Sequence, residues 1–187
     1  AASQKKVSEF AKDNNISGLE FMSCIPGSIG GGIRMNSGCF KKEFKDFLIS
    51  IQVVDFKGLV RSIPANKISF NYRSIELPKD LIFLSATFKG KQKKKEEIYN
   101  YMTELNTMKN MAQPTKIKTS GSTFKNPMNQ TDKKVWELIR SCVSDETSYG
   151  DAAISKKHAN FFVNKKNAKA ADMKTLINFV KKKVKDL

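Results

Sequence analysis

Histidine and cysteine are scarce in this chain: among 187 residues there is one histidine, His158, and three cysteines, Cys24, Cys39 and Cys142. The cysteines have no metal-ligand spacing and one histidine cannot complete a usual zinc set, so no metal site is expected. Nor is there a disulfide framework, which points to a reduced, cytoplasmic setting. Acidic residues are also few, 18 Asp+Glu against 34 Lys+Arg, and the formal net charge is +16. Such an excess attracts nucleic acid, anionic membrane or phosphorylated ligands. Its lysines, however, fall in runs such as Lys89 to Lys95 and Lys181 to Lys185, without the interleaved aromatics of a single-strand binder. They read as solvated faces, and no nucleic-acid partner is expected. Long apolar runs are missing too. No stretch reaches the ~18 residues of a membrane span and the start is not signal-like, so no membrane partner is expected.

What is present suits a folded protein: 40% hydrophobic and 10% aromatic residues, on a chain long enough for one good core or two small ones. Five of its ten glycines lie between Ile25 and Gly38. Glycine is costly inside helices and strands, so this stretch is expected to be a loop. It either brings backbone close to an anionic cofactor or packs two elements tightly. Before it, Val7, Phe10 and Ala11 predict a short amphipathic helix with Ser3 as N-cap. After it, Phe47 to Asp55 and Leu59 to Ile63 flank the turn Phe56-Lys57-Gly58 and predict a hairpin. Leu81 to Phe88 reads as another strand. Arg73 falls on a connection between strands, as a surface arginine or a functional one.

Ile98, Tyr101, Met102, Leu105 and Met108 form one helical stripe, with the methionines as core filling. Gln113-Pro114 ends it, near the best candidate boundary between two lobes. A second special loop follows, Gly121-Ser122-Thr123-Phe124-Lys125-Asn126-Pro127, whose hydroxyl, lysine and amide suit proton donation and phosphate contacts but would also pass as a polar turn. Beyond it the pattern predicts a helix capped by Asp132, a loop, the strand Phe161 to Val163, and a last helix from Asn167 bearing Met173, Leu176, Ile177, Val180 and Val184.

Taken together, Gly18-Leu19-Glu20-Phe21, Ile25-Pro26-Gly27-Ser28-Ile29-Gly30-Gly31, Met35-Asn36-Ser37-Gly38, Phe70-Asn71-Tyr72-Arg73, the Gly121 to Pro127 loop and Ser155 to Asn164 stand in the order of one family. From about Gly18 to its end the chain resembles the UDP-N-acetylmuramate dehydrogenases, also called UDP-N-acetylenolpyruvoylglucosamine reductases. The resemblance implies an α+β protein: residues 1–112 as the second lobe of a vanillyl-alcohol-oxidase-type FAD-binding domain, and residues 113–187 as the substrate-binding domain. It implies FAD and NADPH as cofactors, UDP-N-acetylenolpyruvoylglucosamine as substrate, and a place in peptidoglycan precursor synthesis.

By motif, Ile25, Pro26, Gly27, Ser28, Gly30, Gly31, Met35, Asn36 and Gly38 resemble FAD contacts. Arg73 resembles the arginine that stabilises an enolate-like intermediate, and Ser122 the serine that protonates it. Tyr72, Lys125 and Asn126 resemble substrate contacts, while His158 is expected to be structural. Family members also carry a first FAD-binding lobe and a C-terminal catalytic glutamate, neither of which is matched here; Glu146 lies in another context. The chain is therefore expected to be a fragment or a truncated product, with the absent lobe as a partner. An inactive fragment, or a basic nucleic-acid-binding module, is the alternative reading.

Overall fold

The computed structural model describes residues 1–115 and 117–187 as two compact units, Ala1–Met108 and Lys109–Leu187. Every strand pair among the described residues is antiparallel, and helices are interspersed with them, so the class is α+β.

In the first unit, α1 (Gln4–Asp13) starts at Ser3, whose hydroxyl accepts from the Lys6 amide at 3.2 Å. Its buried face is Gln4, Ser8 and Ala11, while Phe10 is 66% exposed, so the expected apolar stripe holds at Ala11 and not at Phe10. The helix packs on the 3-10 turn Glu20–Cys24, and Gln4 reaches past it to donate to the Ser28 carbonyl at 3.3 Å. Strand β1 (Ile16–Ser17) pairs with the distant β9 (Lys91–Gln92). The glycine stretch departs from expectation: Ile29–Arg34 is a short helix, α2. Glycine is tolerated there because the ends are fixed and a side chain would not fit. Ser28 caps the start by accepting from the Gly31 amide at 3.2 Å. A Cβ on Gly32 would lie 2.4 Å from the ring of fully buried Phe44.

Beyond α2 come a tight hairpin, β2 (Gly38–Cys39) and β3 (Lys42–Glu43), and then β4 (Leu48–Val54), the middle of a three-stranded sheet. Its neighbours are β5 (Val60–Pro64), joined through the predicted turn, and β8 (Ile82–Phe88). Leu48, Ile51 and Val53 of β4 enter the core with Phe21, Met22, Ile33 and Phe44. Between these strands, β6 (Ser69–Asn71) and β7 (Ser74–Glu76) form a hairpin whose two-residue turn is Tyr72-Arg73. Helix α3 (Lys95–Ala112) buries Ile98, Met102 and Leu105. Met108 is 41% exposed and Tyr101 38%, so only one of the two stripe methionines fills the core.

In the second unit, a four-stranded sheet runs in the order β10 (Lys118–Ser122), β13 (Phe161–Asn164), β12 (Ala152–Ile154), β11 (Ser148–Tyr149). The two short strands β11 and β12 were not expected; runs of two and three residues carry no readable alternation. Helices α4 (Val135–Cys142) and α5 (Ala170–Lys185) close over a core of Val135, Ile139, Ala152, Phe162, Leu176 and Val180. Their starts differ from the sequence reading. Lys134, not Asp132, is the N-cap of α4, held as its amide donates to Glu137 Oε2 at 2.6 Å. Helix α5 begins three residues after Asn167, because Asp151 and Asn164 side chains accept from the Asn167 and Ala168 amides and keep that segment out of the helix. No described helix is long and apolar enough to cross a membrane.

Candidate functional site

Within the Ile25 to Gly31 segment, Ile25, Ser28, Ile29 and Gly30 are half-buried. Pro26, Gly27 and Gly31 are exposed, and Gly27 has φ +124, a conformation that suits glycine. A flat anionic cofactor such as FAD could approach this backbone closely, which is how the residues present fit it. Its amides are partly engaged already: Ile29 donates to the Ala2 carbonyl at 3.0 Å and Gly31 to Ser28 Oγ. The fit therefore rests on close approach over the exposed Pro26, Gly27 and Gly31 more than on a full amide cradle. Arg34, at the end of α2, is committed to structure. Its guanidinium donates to the Leu77, Pro78 and Leu81 carbonyls at 3.0–3.2 Å and lies over the Phe83 ring.

The Met35 to Gly38 motif is the C-terminal turn of that helix. Ser37 donates to the Gly32 carbonyl at 2.8 Å and Asn36 to that of Ile33 at 2.9 Å, with Asn36 left-handed at φ +38. This is a Schellman arrangement with asparagine where glycine is commonest. It turns the fully buried Asn36 side chain toward Glu43, to which its Nδ2 donates at 3.0 Å, and toward the Asn71 carbonyl at 3.2 Å. Met35, by contrast, is 42% exposed.

Arg73 arrives from the other hairpin in the same place. Its Nη2 donates to the Gly38 carbonyl at 2.8 Å, and its Nη1 to the Asn36 carbonyl at 3.3 Å and to Glu43 Oε1 at 3.4 Å. The guanidinium carbon lies 4.9 Å from the centre of the Tyr72 ring. Asn36, Gly38, Tyr72 and Arg73 are thus one cluster, joined by Glu43, for which no role was expected from sequence. Gly38 is needed there for space: a Cβ would meet the Lys42 carbonyl at 2.3 Å and Glu43 Cγ at 2.7 Å. Arg73 itself is left-handed, with φ +54, which is uncommon for a side chain of its kind.

In the second unit, Ser122 ends β10 beside a bulge and is exposed, as is Lys125. The loop between and after them is held by Asn160, whose Oδ1 accepts from the Phe124 amide and whose Nδ2 donates to the Phe124 carbonyl, both at 2.9 Å. Asn126 Oδ1 accepts from the Val135 amide at 3.1 Å, so this expected substrate contact also fixes the start of α4. Lys125 lines a groove of about 340 Å³ with Phe124, Pro127, Val135, Leu138 and Val180.

His158 packs against the rings of Phe161 and Trp136, and its Nδ1 accepts from the Asn160 amide at 3.2 Å. Burial holds its pKa below the ordinary value, which suits a neutral, structural imidazole. Glu146 pairs with Lys156 at the surface. In the first unit, a cleft of about 720 Å³ is lined by Lys41, Lys42, Lys89, Lys91 and Lys93 with Glu20, and by none of the expected site residues.

Residues 113–187 match the family model of the UDP-N-acetylenolpyruvoylglucosamine reductase C-terminal domain. Over 181 residues the chain is 62% identical to the UDP-N-acetylenolpyruvoylglucosamine reductase of Pelagibacter ubique, covering 97% of this chain and 60% of that protein. It is 44% identical to the reductase of the same name from Rickettsia bellii over 178 residues, covering 95% of this chain and 58% of the relative. Among solved structures, the UDP-N-acetylenolpyruvylglucosamine reductase of Thermus caldophilus superimposes with a TM-score of 0.84 at 32% identity, covering 96% of this chain and 65% of that one. The chain thus spans about three-fifths of the length of the curated relatives it matches.

Proposed function

We propose that this chain, similar over nearly its whole length to UDP-N-acetylenolpyruvoylglucosamine reductases, reduces UDP-N-acetylenolpyruvoylglucosamine to UDP-N-acetylmuramate with FAD and NADPH, in cytoplasmic peptidoglycan precursor synthesis. On this reading the first unit is the second lobe of a vanillyl-alcohol-oxidase-type FAD-binding domain and the second unit is the substrate-binding domain. The observation that carries it is the Arg73 guanidinium, set on two main-chain carbonyls and a carboxylate within a left-handed turn.

When bound, FAD supplies the hydride relay between NADPH and the substrate. The Pro26 to Gly31 backbone would hold it by close approach. Hydride addition to an enol ether conjugated with a carboxylate leaves negative charge on the carboxylate side. Arg73 stabilises that charge as a permanently ionised and orientationally fixed partner. The Ser122 hydroxyl then donates its proton to the adjoining carbon, completing the addition of hydride and proton across the double bond. A hydroxyl is a weak acid, yet it suffices when the receiving carbon is strongly basic and the geometry is held. Lys125, Asn126 and Tyr72 orient the UDP-sugar, with the lysine matched to phosphate.

The test is spectroscopic. FAD added to the chain and passed through gel filtration is expected to remain bound, to bleach with NADPH and to recover with the enolpyruvyl substrate. Flavin that is neither retained nor reduced counts against the reading. Ser122→Ala is expected to leave reduction by NADPH unchanged and to slow reoxidation by the UDP-sugar. Equal loss in both half-reactions would remove Ser122 as the proton donor.

A further inference from the structure

We propose that Glu43 is a positioning residue for the reduction, holding the Arg73 guanidinium in the orientation in which it meets the substrate carboxylate. The proposal rests on the reductase reading of Arg73 and adds to it a residue that no motif singles out.

The two oxygens of Glu43 divide their work. Oε1 receives Arg73 Nη1 at 3.4 Å, while Oε2 accepts from Asn36 Nδ2 at 3.0 Å and pairs with Lys45 Nζ at 3.1 Å. The carboxylate is itself fixed, because β3 places it where Gly38 has no side chain. The Arg73 and Glu43 side chains retain only 28% and 23% of their exposure, so water screens the pair incompletely. A long side chain on a left-handed turn residue keeps one orientation only where its surroundings over-determine it. The Asn36 and Gly38 carbonyls fix one edge of the guanidinium, and Glu43 supplies the charged third point.

The sign of the effect separates positioning from plain electrostatics. A carboxylate beside Arg73 weakens the guanidinium's pull on developing negative charge. If field strength alone mattered, neutralising Glu43 would speed the reaction. If orientation matters, neutralising it slows the reaction. Glu43→Gln keeps the shape but offers a single acceptor oxygen where the carboxylate meets Arg73 at Oε1 and Asn36 and Lys45 at Oε2, so the donors on one side lose their partner.

The experiment compares wild type, Glu43→Gln and Glu43→Ala by two readouts. The first is guanidinium NMR of Arg73, one of four arginines, assigned by its loss in Arg73→Lys. Slow rotation of a held guanidinium keeps its Nη signals separate, and both Glu43 variants are expected to merge them. The second is the two flavin half-reactions. Reoxidation by the UDP-sugar at saturation is expected to slow about tenfold in Glu43→Gln, the size of one released charged hydrogen bond, with reduction by NADPH within about twofold of wild type. The double variant with Arg73→Lys is expected to be no slower than Arg73→Lys alone.

Separate Nη signals in both variants would overturn the proposal. So would unchanged or faster reoxidation, or equal losses in the two half-reactions. A wild-type chain without flavin chemistry would sink the reductase reading instead, and the NMR comparison would still decide whether Glu43 fixes Arg73.

Discussion

Replacing Asn160 should unfold the second unit far more readily than the loss of one small polar side chain suggests. Asn160 is 4% exposed and engages both the amide and the carbonyl of Phe124, each at 2.9 Å. Asn160→Ala removes two hydrogen bonds worth ~1 kcal/mol each and leaves the Phe124 groups poorly solvated, another ~1 kcal/mol, about 3 kcal/mol in all. The chain's single tryptophan, Trp136, lies in this unit, so its fluorescence follows the unit without interference from the first. For a unit of this size, with a urea slope near ~1 kcal/mol/M, the midpoint should fall by about 2–3 M.

Asn160→Asp sharpens the test. It preserves shape and the bond from the Phe124 amide but turns a charged oxygen toward the Phe124 carbonyl. It should be as destabilising as Asn160→Ala at neutral pH and partly recover on acidification, when the carboxyl regains a proton to donate. A neutral-pH Asp variant with an unchanged midpoint would refute the reasoning, because packing is conserved and only the clamp is altered.

Gly32→Ala should destabilise the first unit by about 1–3 kcal/mol, seen as a lower thermal midpoint, because the added methyl would meet the buried Phe44 ring at 2.4 Å and that ring has no room to yield. Arg34→Ala should cost about 2 kcal/mol in the same melt by releasing the Leu77, Pro78 and Leu81 carbonyls, with Arg34→Lys recovering only part because a single ammonium cannot reproduce the fork. His158, whose pKa burial depresses below 6.5, takes up a proton more readily unfolded than folded. Stability of the second unit should therefore be fully present above about pH 6.5 and decline as pH falls through that value toward the lower folded pKa; His158→Phe should flatten that slope, and an unchanged slope would exclude the imidazole as its source.

The longer elements were readable because each had a period to show. The hairpin of β4 and β5 announced itself by β-branched runs about a Lys57-Gly58 turn, and α5 by Leu176 and Val180 on one face. Phe10 and Met108 misled because helical spacing says which residues share a face and not which face meets a neighbour. Helix α2 ran against glycine's cost, since tertiary space decided it: only glycine at position 32 lets Phe44 sit where it does. The strands β11 and β12 were too short to carry any pattern.

The site divides along a different line. Candidate residues such as Arg73, Ser122 and Asn126 stand out by their motifs, but the residues that hold those segments do not. Glu43 lies 30 positions from Arg73, and Asn160 lies 36 from Phe124. Each acts on a main-chain group or a guanidinium brought near only by tertiary pairing of distant segments, and neither spacing nor composition encodes such a meeting. Asn36 makes the point most directly. Its place in a Gly-rich motif suggested a cofactor contact, yet its side chain is fully buried, bonded to Glu43 and to the Asn71 carbonyl next to the Tyr72-Arg73 turn. Its backbone is engaged as well, the amide on the Ile33 carbonyl and the carbonyl under Arg73 Nη1, so the whole residue works inward on the turn that carries Arg73. Asn36→Ala should accordingly disturb Arg73 as Glu43→Gln does, merging the same Nη signals, and a flavin affinity lowered with those signals intact would count for a direct cofactor contact instead.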